Sequence, residues 1–202
     1  VETREKILDV AMEQFSRFGV RNITMDDVAR SVGISKKTLY QEFTDKRELV
    51  MEAFRRMLVL DKSKMSFVFE AEDGVIEHLV SLSKMMRERL GNINPIAIME
   101  VQKYFPEAWG MFEKHKEEVI MVDLINILEK GKKLGYFRSE IDSAILARLR
   151  VNQITSALEQ TSFHTEPHEL VEMQMEMMDH FLHGIFTEKG RQSYYSQQKS
   201  QA

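Results

Sequence analysis

Apolar residues recur along this chain at three- and four-residue intervals almost from end to end, the period of a helix packed on one face. Ile7, Leu8, Ala11, Phe15 and Phe18 make one stripe, predicting a helix over about Glu2–Phe18 that Gly19 ends. Val28, Ala29 and Val32 make a second, preceded by Thr24 with Asp27 three residues on, the spacing of a capping box. Gly33 stands where a chain needs a left-handed residue to leave a helix. Ser35 is the next N-cap, opening a short helix in which Leu39 and Phe43 face inward and Lys36, Lys37, Thr38, Tyr40 and Gln41 are left largely outward. Asp45 and Glu48 open a longer helix to about Lys64, with Leu49, Val50, Ala53, Phe54, Met57 and Leu58 on its buried face.

Beyond an acidic break at 70–74, the pattern predicts further helices over Val75–Leu90, Ile96–Phe105, Pro106–Leu134, a span from Ser139 or Asp142 to about Phe163, and His168–Thr187. Thr165-Glu166-Pro167 reads as a turn. Residues 188–202 are Gln, Ser and Lys with two tyrosines, and read as a disordered tail. The fold class is all-α: a three-helix N-terminal head over residues 1–46, a connecting helix over 45–64, and a helical second domain over 65–187.

Thr24 to Lys46 is the segment that carries chemistry. Two short helices joined by a glycine turn form a helix-turn-helix, which places its second helix in the DNA major groove. Lys36 and Lys37 sit in the first turn of that helix, where cations meet the positive end of the macrodipole. DNA phosphates and guanine edges would supply the missing negative charge. Two merely solvated lysines are the plainer alternative, but within this spacing the DNA-facing reading outweighs it. Lys46, at the next helix N-terminus, suits a phosphate contact.

These residues, with Thr3-Arg4-Glu5-Lys6-Ile7-Leu8, Phe15, Gly19, Val28-Ala29, Val32-Gly33-Ile34-Ser35, Thr38-Leu39-Tyr40, Phe43 and Leu49, resemble the N-terminal domain of TetR-type (tetracycline-repressor-like) regulators. The likeness covers about the first quarter of the chain. It implies a DNA-binding head, a linking fourth helix and a regulatory domain that dimerises and binds an inducer. It assigns Lys36, Lys37, Thr38, Tyr40 and Gln41 to the recognition helix, with Ser35 at its cap, and Thr24 and Lys46 to phosphate. A glycine common in the family near the third residue of that helix is replaced here by Lys36-Lys37-Thr38, so the operator does not follow from relatives.

Composition narrows the rest. Of 202 residues 43% are hydrophobic and 30% charged, a globular balance, and the 3 prolines and 9 glycines suit helices. With no cysteine, disulfides and thiol chemistry are excluded. No run reaches the length of a membrane span and no signal-peptide pattern opens the chain, so a cytoplasmic location is expected. The sequence opens on Val1 rather than Met, leaving room for a basic arm ahead of it. The net charge of −4 is unevenly spread: residues 1–64 carry 13 basic and 11 acidic side chains, so the head is slightly positive and the remainder acidic.

The last predicted helix has apolar residues over roughly 220° at helical spacing, wider than one core needs. Val171, Met175, Met178, Leu182 and Ile185, with Ile154 and Leu158 on the preceding helix, are therefore expected at a homodimer interface. Fourteen methionines supply adaptable surface for an effector pocket. Met85, Met86, Met99, Trp109, Phe112 and Met121 are the candidate lining, with Asn152 and Gln153 as inward polar groups; plain core packing is the alternative for each. Glu176, His180 and His183 have a spacing that fits a metal on one helix face, but exposed helices collect such residues freely, and neither metal nor cofactor is expected. No nucleophile motif or phosphate loop stands out, so an enzyme is not expected. The partners expected are a palindromic double-stranded DNA operator, a second copy of the chain and a small, largely apolar inducer; control by a protein partner is the alternative.

Overall fold

A computed structural model describes residues 2–71, 74–159 and 167–200, with side chains described outside 61–71, 157–159 and 167–168. Its described residues form α1 (Glu2–Phe18), α2 (Met25–Val32), α3 (Lys36–Glu42), α4 (Lys46–Ala71), α5 (Val75–Gly91), α6 (Pro95–Tyr104), α7 (Pro106–His115), a π-helical turn (Lys116–Ile120), α8 (Met121–Lys133), α9 (Ser143–Glu159), α10 (Pro167–Ile185) and α11 (Glu188–Ser200). The all-α class read from the periodicity is correct. The only β feature among these residues is an isolated antiparallel bridge between Phe137 and Phe186. No helix among the described residues is long and apolar enough to cross a membrane.

Local sequence explains the boundaries. Thr24 accepts from the Asp27 amide while the Asp27 carboxylate accepts from the Thr24 amide, a complete capping box on α2. Gly33 ends α2 at φ +79°, a left-handed conformation that would strain any side chain. Asp45 caps α4 by accepting from the Glu48 amide at 2.8 Å, and Glu48 reaches back one residue further, to the amide and hydroxyl of Thr44. Asn94 caps α6 with Pro95 in its first turn, so that helix starts one residue before the position expected.

Three departures from the periodicity matter. α4 runs on to Ala71. The span Pro106–Leu134 is interrupted by the π turn, which advances the register so that His115 and Ile120, five apart, share a wall. Residues 188–200, expected to be disordered, form α11. Its first turn is capped by Thr187, whose Oγ1 accepts from the Gly190 amide. Gly190 lets the helix approach closely: a Cβ there would lie 2.1 Å from the Tyr136 carbonyl oxygen. Tyr194 is buried beside Phe186, with ring centroids 5.3 Å apart.

Packing gives two main cores. One joins α1–α4 through Ile7, Ala11, Val28, Leu39 and Leu49, and takes Val101 and Ala108 from α6 and α7. The other joins α5, α8, α9, α10 and α11 through Val75, Leu128, Phe137, Val151, Leu182 and Ile185. Polar contacts reinforce the junction. The Arg21 amide donates to Glu100, Arg47 pairs with Glu107, and the Asn94 amide donates to the Ser16 carbonyl.

Candidate nucleic-acid interface and effector cavity

The head is arranged around α3. Leu39 is fully buried and Phe43 nearly so, pinning one face of this two-turn helix to the head core. Lys36, Lys37, Tyr40 and Gln41 are exposed and Thr38 is half-buried, its amide donating to Ser35 Oγ at 3.0 Å. Arg4 locks the far end of α3: it donates to the Glu42 carbonyl, and its guanidinium lies 4.2 Å from the Phe43 ring centroid. The sequence pattern did not single out Arg4, because its partners lie 38 residues away.

The two lysines of α3 differ. Lys36 is tied to Asp26 at 2.9 Å, which raises its pKa; that pair must open or shift before Lys36 meets a phosphate. Lys37 makes no such pair and points outward. Thr24 spends its hydroxyl on Asp27 within the capping box, and Lys46 is half-buried with its ammonium donating to the Arg21 carbonyl. Burial lowers the Lys46 pKa. Both residues therefore stand at the head surface with their polar groups already engaged.

The second feature is a cavity of about 320 Å³, within the range of small-molecule sites. Met85, Met86, Trp109 and Phe112 line it. Met99 does not, being exposed on α6; Met121 is buried in the body core; Asn152 is exposed; Gln153 is half-buried away from the cavity. The helical repeat that selected these residues does not say which side of α6 or α9 faces the void.

Residues expected at a dimer interface lie elsewhere as well. Met178, Leu182 and Ile185 are buried in the body core, and Val171 packs with Leu90 and Leu170. Ile154, Met178 and Leu182 line the cavity, Met175 is half-buried beside Ser83, and the side chain of Leu158 lies outside the described residues. The wide apolar arc of α10 is thus covered by α5 and α9 of the same chain, and does not itself require a partner.

What sequence reasoning missed is the reach of the cavity. Its walls include Met12, Phe15 and Val20 from the first helix and its exit, and Val50, Phe54 and Met57 from α4, so it opens against the head as well as the body. It also missed the polar lining: Arg89, His115, Asp123 and Arg150. Arg150 had a visible signal. Ala147, Arg150, Val151 and Ile154 share one helical face, and a charge inside an apolar stripe asks for a reason.

Residues 7–53, the span that builds this head, match the model of the bacterial regulatory proteins, tetR family. The head is that of a TetR-type regulator. Its relatives include the biofilm operon icaADBC HTH-type negative transcriptional regulator IcaR of Staphylococcus aureus (strain Newman), 27% identical over 52% of this chain and 70% of the relative. Another is the uncharacterized HTH-type transcriptional regulator YhgD of Bacillus subtilis (strain 168), 27% identical over 72% of this chain and 70% of that one. In fold the chain is similar to a Saccharomonospora viridis protein in complex with choline, with a TM-score of 0.68, 19% identity, and 92% and 98% of the two chains covered. TetR-type proteins are regulators of transcription rather than enzymes, and the head described here is their DNA-binding domain.

Proposed function

We propose that this TetR-type chain is a homodimeric, cytoplasmic repressor that leaves its palindromic operator when a small, largely apolar molecule occupies the cavity. The observation that carries the reading is the cavity's position. A ligand in it touches α1 and α4, which carry the head, and α5 through α10, which form the body. Filling the void would favour one spacing between these helices over another, a population shift needing only differential affinity between the two states. A cavity of this size weighs against control by a protein partner alone. IcaR, a negative regulator by name, supports the sign, and the choline complex supports small-molecule binding in this fold.

The dimer reading moves to a different face. Ile145 and Leu149, one helical turn apart on α9, are 66% and 47% exposed, and Met173 and Met177 on α10 are half-buried. Exposed branched aliphatics in a row are what a second copy would cover.

In DNA recognition, Lys37, Tyr40 and Gln41 would reach base edges, while Lys36, Thr24, Ser35, Thr38 and Lys46 would hold the backbone. The test is fluorescence anisotropy with DNA from immediately upstream of the chain's own gene, at physiological salt with competitor DNA. The wild type should bind tightly, and a Lys37→Ala/Tyr40→Ala double variant should lose at least tenfold. Equal, weak, salt-sensitive binding by both proteins would overturn the assignment for that site.

A further inference from the structure

The buried face of α9 puts a charge where the pattern calls for a hydrophobe. Arg150 is only 3% exposed and lines the cavity. Its Nη1 is buried without a hydrogen-bond partner, and its Nη2 has only the weak acceptor Met86 Sδ at 3.9 Å. A guanidinium carries five donors in a rigid fork that matches a carboxylate in a bidentate pair. Burial pushes its pKa down to about 10, with no neighbouring carboxylate raising it back, so it remains a cation at neutral pH. A buried charge in this condition lacks its counterpart.

The surroundings say what else the counterpart must have. Met86 Sδ lies 3.9 Å from Arg150 Nη2, and most of the cavity wall is apolar, with Ile154, Met178, Trp109 and Phe112 among its residues. A small hydrated anion would leave that surface facing water, and a neutral apolar molecule would leave the guanidinium unpaired. We propose that the ligand is an amphiphile with an anionic head, a carboxylate on an aliphatic tail, and that Arg150 is the residue that receives the head. Arg89, His115 and Asp123 also stand on the wall, each engaged with a partner, whereas Arg150 Nη1 has none. The inference rests on the effector cavity of the preceding section and names its ligand class.

The test uses the full chain and isothermal calorimetry with dodecanoate and 1-dodecanol, equal in length and different in charge. The wild type should bind dodecanoate at least tenfold more tightly than the alcohol. Arg150→Met should lose tenfold or more for the acid and keep or improve its hold on the alcohol, while Arg150→Lys should retain part of the preference. Equal affinities for acid and alcohol in the wild type would overturn the proposal, as would acid binding unchanged in Arg150→Met, or no binding of either probe. Should Arg150→Met fail to fold, the wild type and Arg150→Lys decide: the preference for acid over alcohol should be tenfold or more in the wild type and smaller in Arg150→Lys, and a preference equal in the two would sink the idea.

Operator DNA added to the same samples separates this inference from the functional reading. Acid that binds through Arg150 without releasing DNA leaves the site standing and removes its role as effector site. Release by acid and alcohol alike leaves the effector cavity standing and removes Arg150 from recognition.

Discussion

Head and body are built from the same elements, amphipathic helices with capped ends, yet they are packed to different ends. In the head, Ile7, Ala11, Val28, Leu39 and Leu49 are each at 0% exposure, and α2, α3 and α4 have side-chain caps at their N-termini. The body supplies most of the wall of a void that α1 and α4 close from the head side, carries a π turn, and buries Arg150 and Gln174 with polar atoms left unpaired. A recognition helix of two turns has little intrinsic stability, so a dense core beneath it must hold its side chains in place. A cavity that responds to a ligand instead requires packing left incomplete, and the ligand completes it. Dense packing suits a DNA-reading head, and the open packing suits the effector site proposed above.

The comparison breaks first at Leu39. Leu39→Ala should destabilise the protein by about 3–4 kcal/mol, because a fully buried side chain in a close-packed core leaves a void that cannot collapse. Urea unfolding would measure it; a cost under about 1 kcal/mol would mean that the head is as loose as the body.

Arg150→Met should act in the opposite direction, raising stability by up to about 3 kcal/mol at neutral pH. That ceiling is the fall of its pKa from the ordinary arginine range to about 10, taken at about 1.4 kcal/mol per unit. The sign follows from proton binding. From about pH 10 upward the unfolded chain holds the Arg150 proton more tightly than the folded one, so the native state gains stability as pH rises through the folded value. The advantage of the variant is therefore full below about pH 10 and narrows above it. Thermal melts of both proteins at pH 7 and pH 11 would read this, and a less stable variant at pH 7 would contradict the account of an unpaired charge.

The smallest effect sharpens the head. Thr24→Ala removes half of the capping box and should cost about 1 kcal/mol. The hydroxyl and amide of Thr24 hold the Asp27 carboxyl below its ordinary range. A depressed carboxylate lends stability at pH above its unfolded value and withdraws it as pH falls through the folded one. The wild type should therefore lose more stability than Thr24→Ala on going from pH 6 to pH 3. Parallel acid profiles would show that the box is not formed in solution.

How much was legible differs between the two regions for the same reason. The head's capping box, its left-handed Gly33 and the inward pair Leu39 and Phe43 are relations across four residues or fewer, and each was readable in the sequence. In the body, the sequence located most helices but misjudged what their faces meet. Met99 and Asn152 were assigned inward and face solvent, and Leu182 and Ile185 were assigned to a partner and are buried at home. The polar composition of 188–200 hid α11, whose docking depends on Gly190 against Tyr136 and on one buried tyrosine.

By itself, then, the sequence determined the helical class, the helix-turn-helix and the side chains that α3 leaves outside the head core, because caps and stripes act over single turns of helix. Only the tertiary structure decided where the void lies and which charge it encloses. Its walls bring Met12 and Leu182 together from opposite ends of the chain, and whether such distant faces close or leave space depends on the summed fit of many side chains.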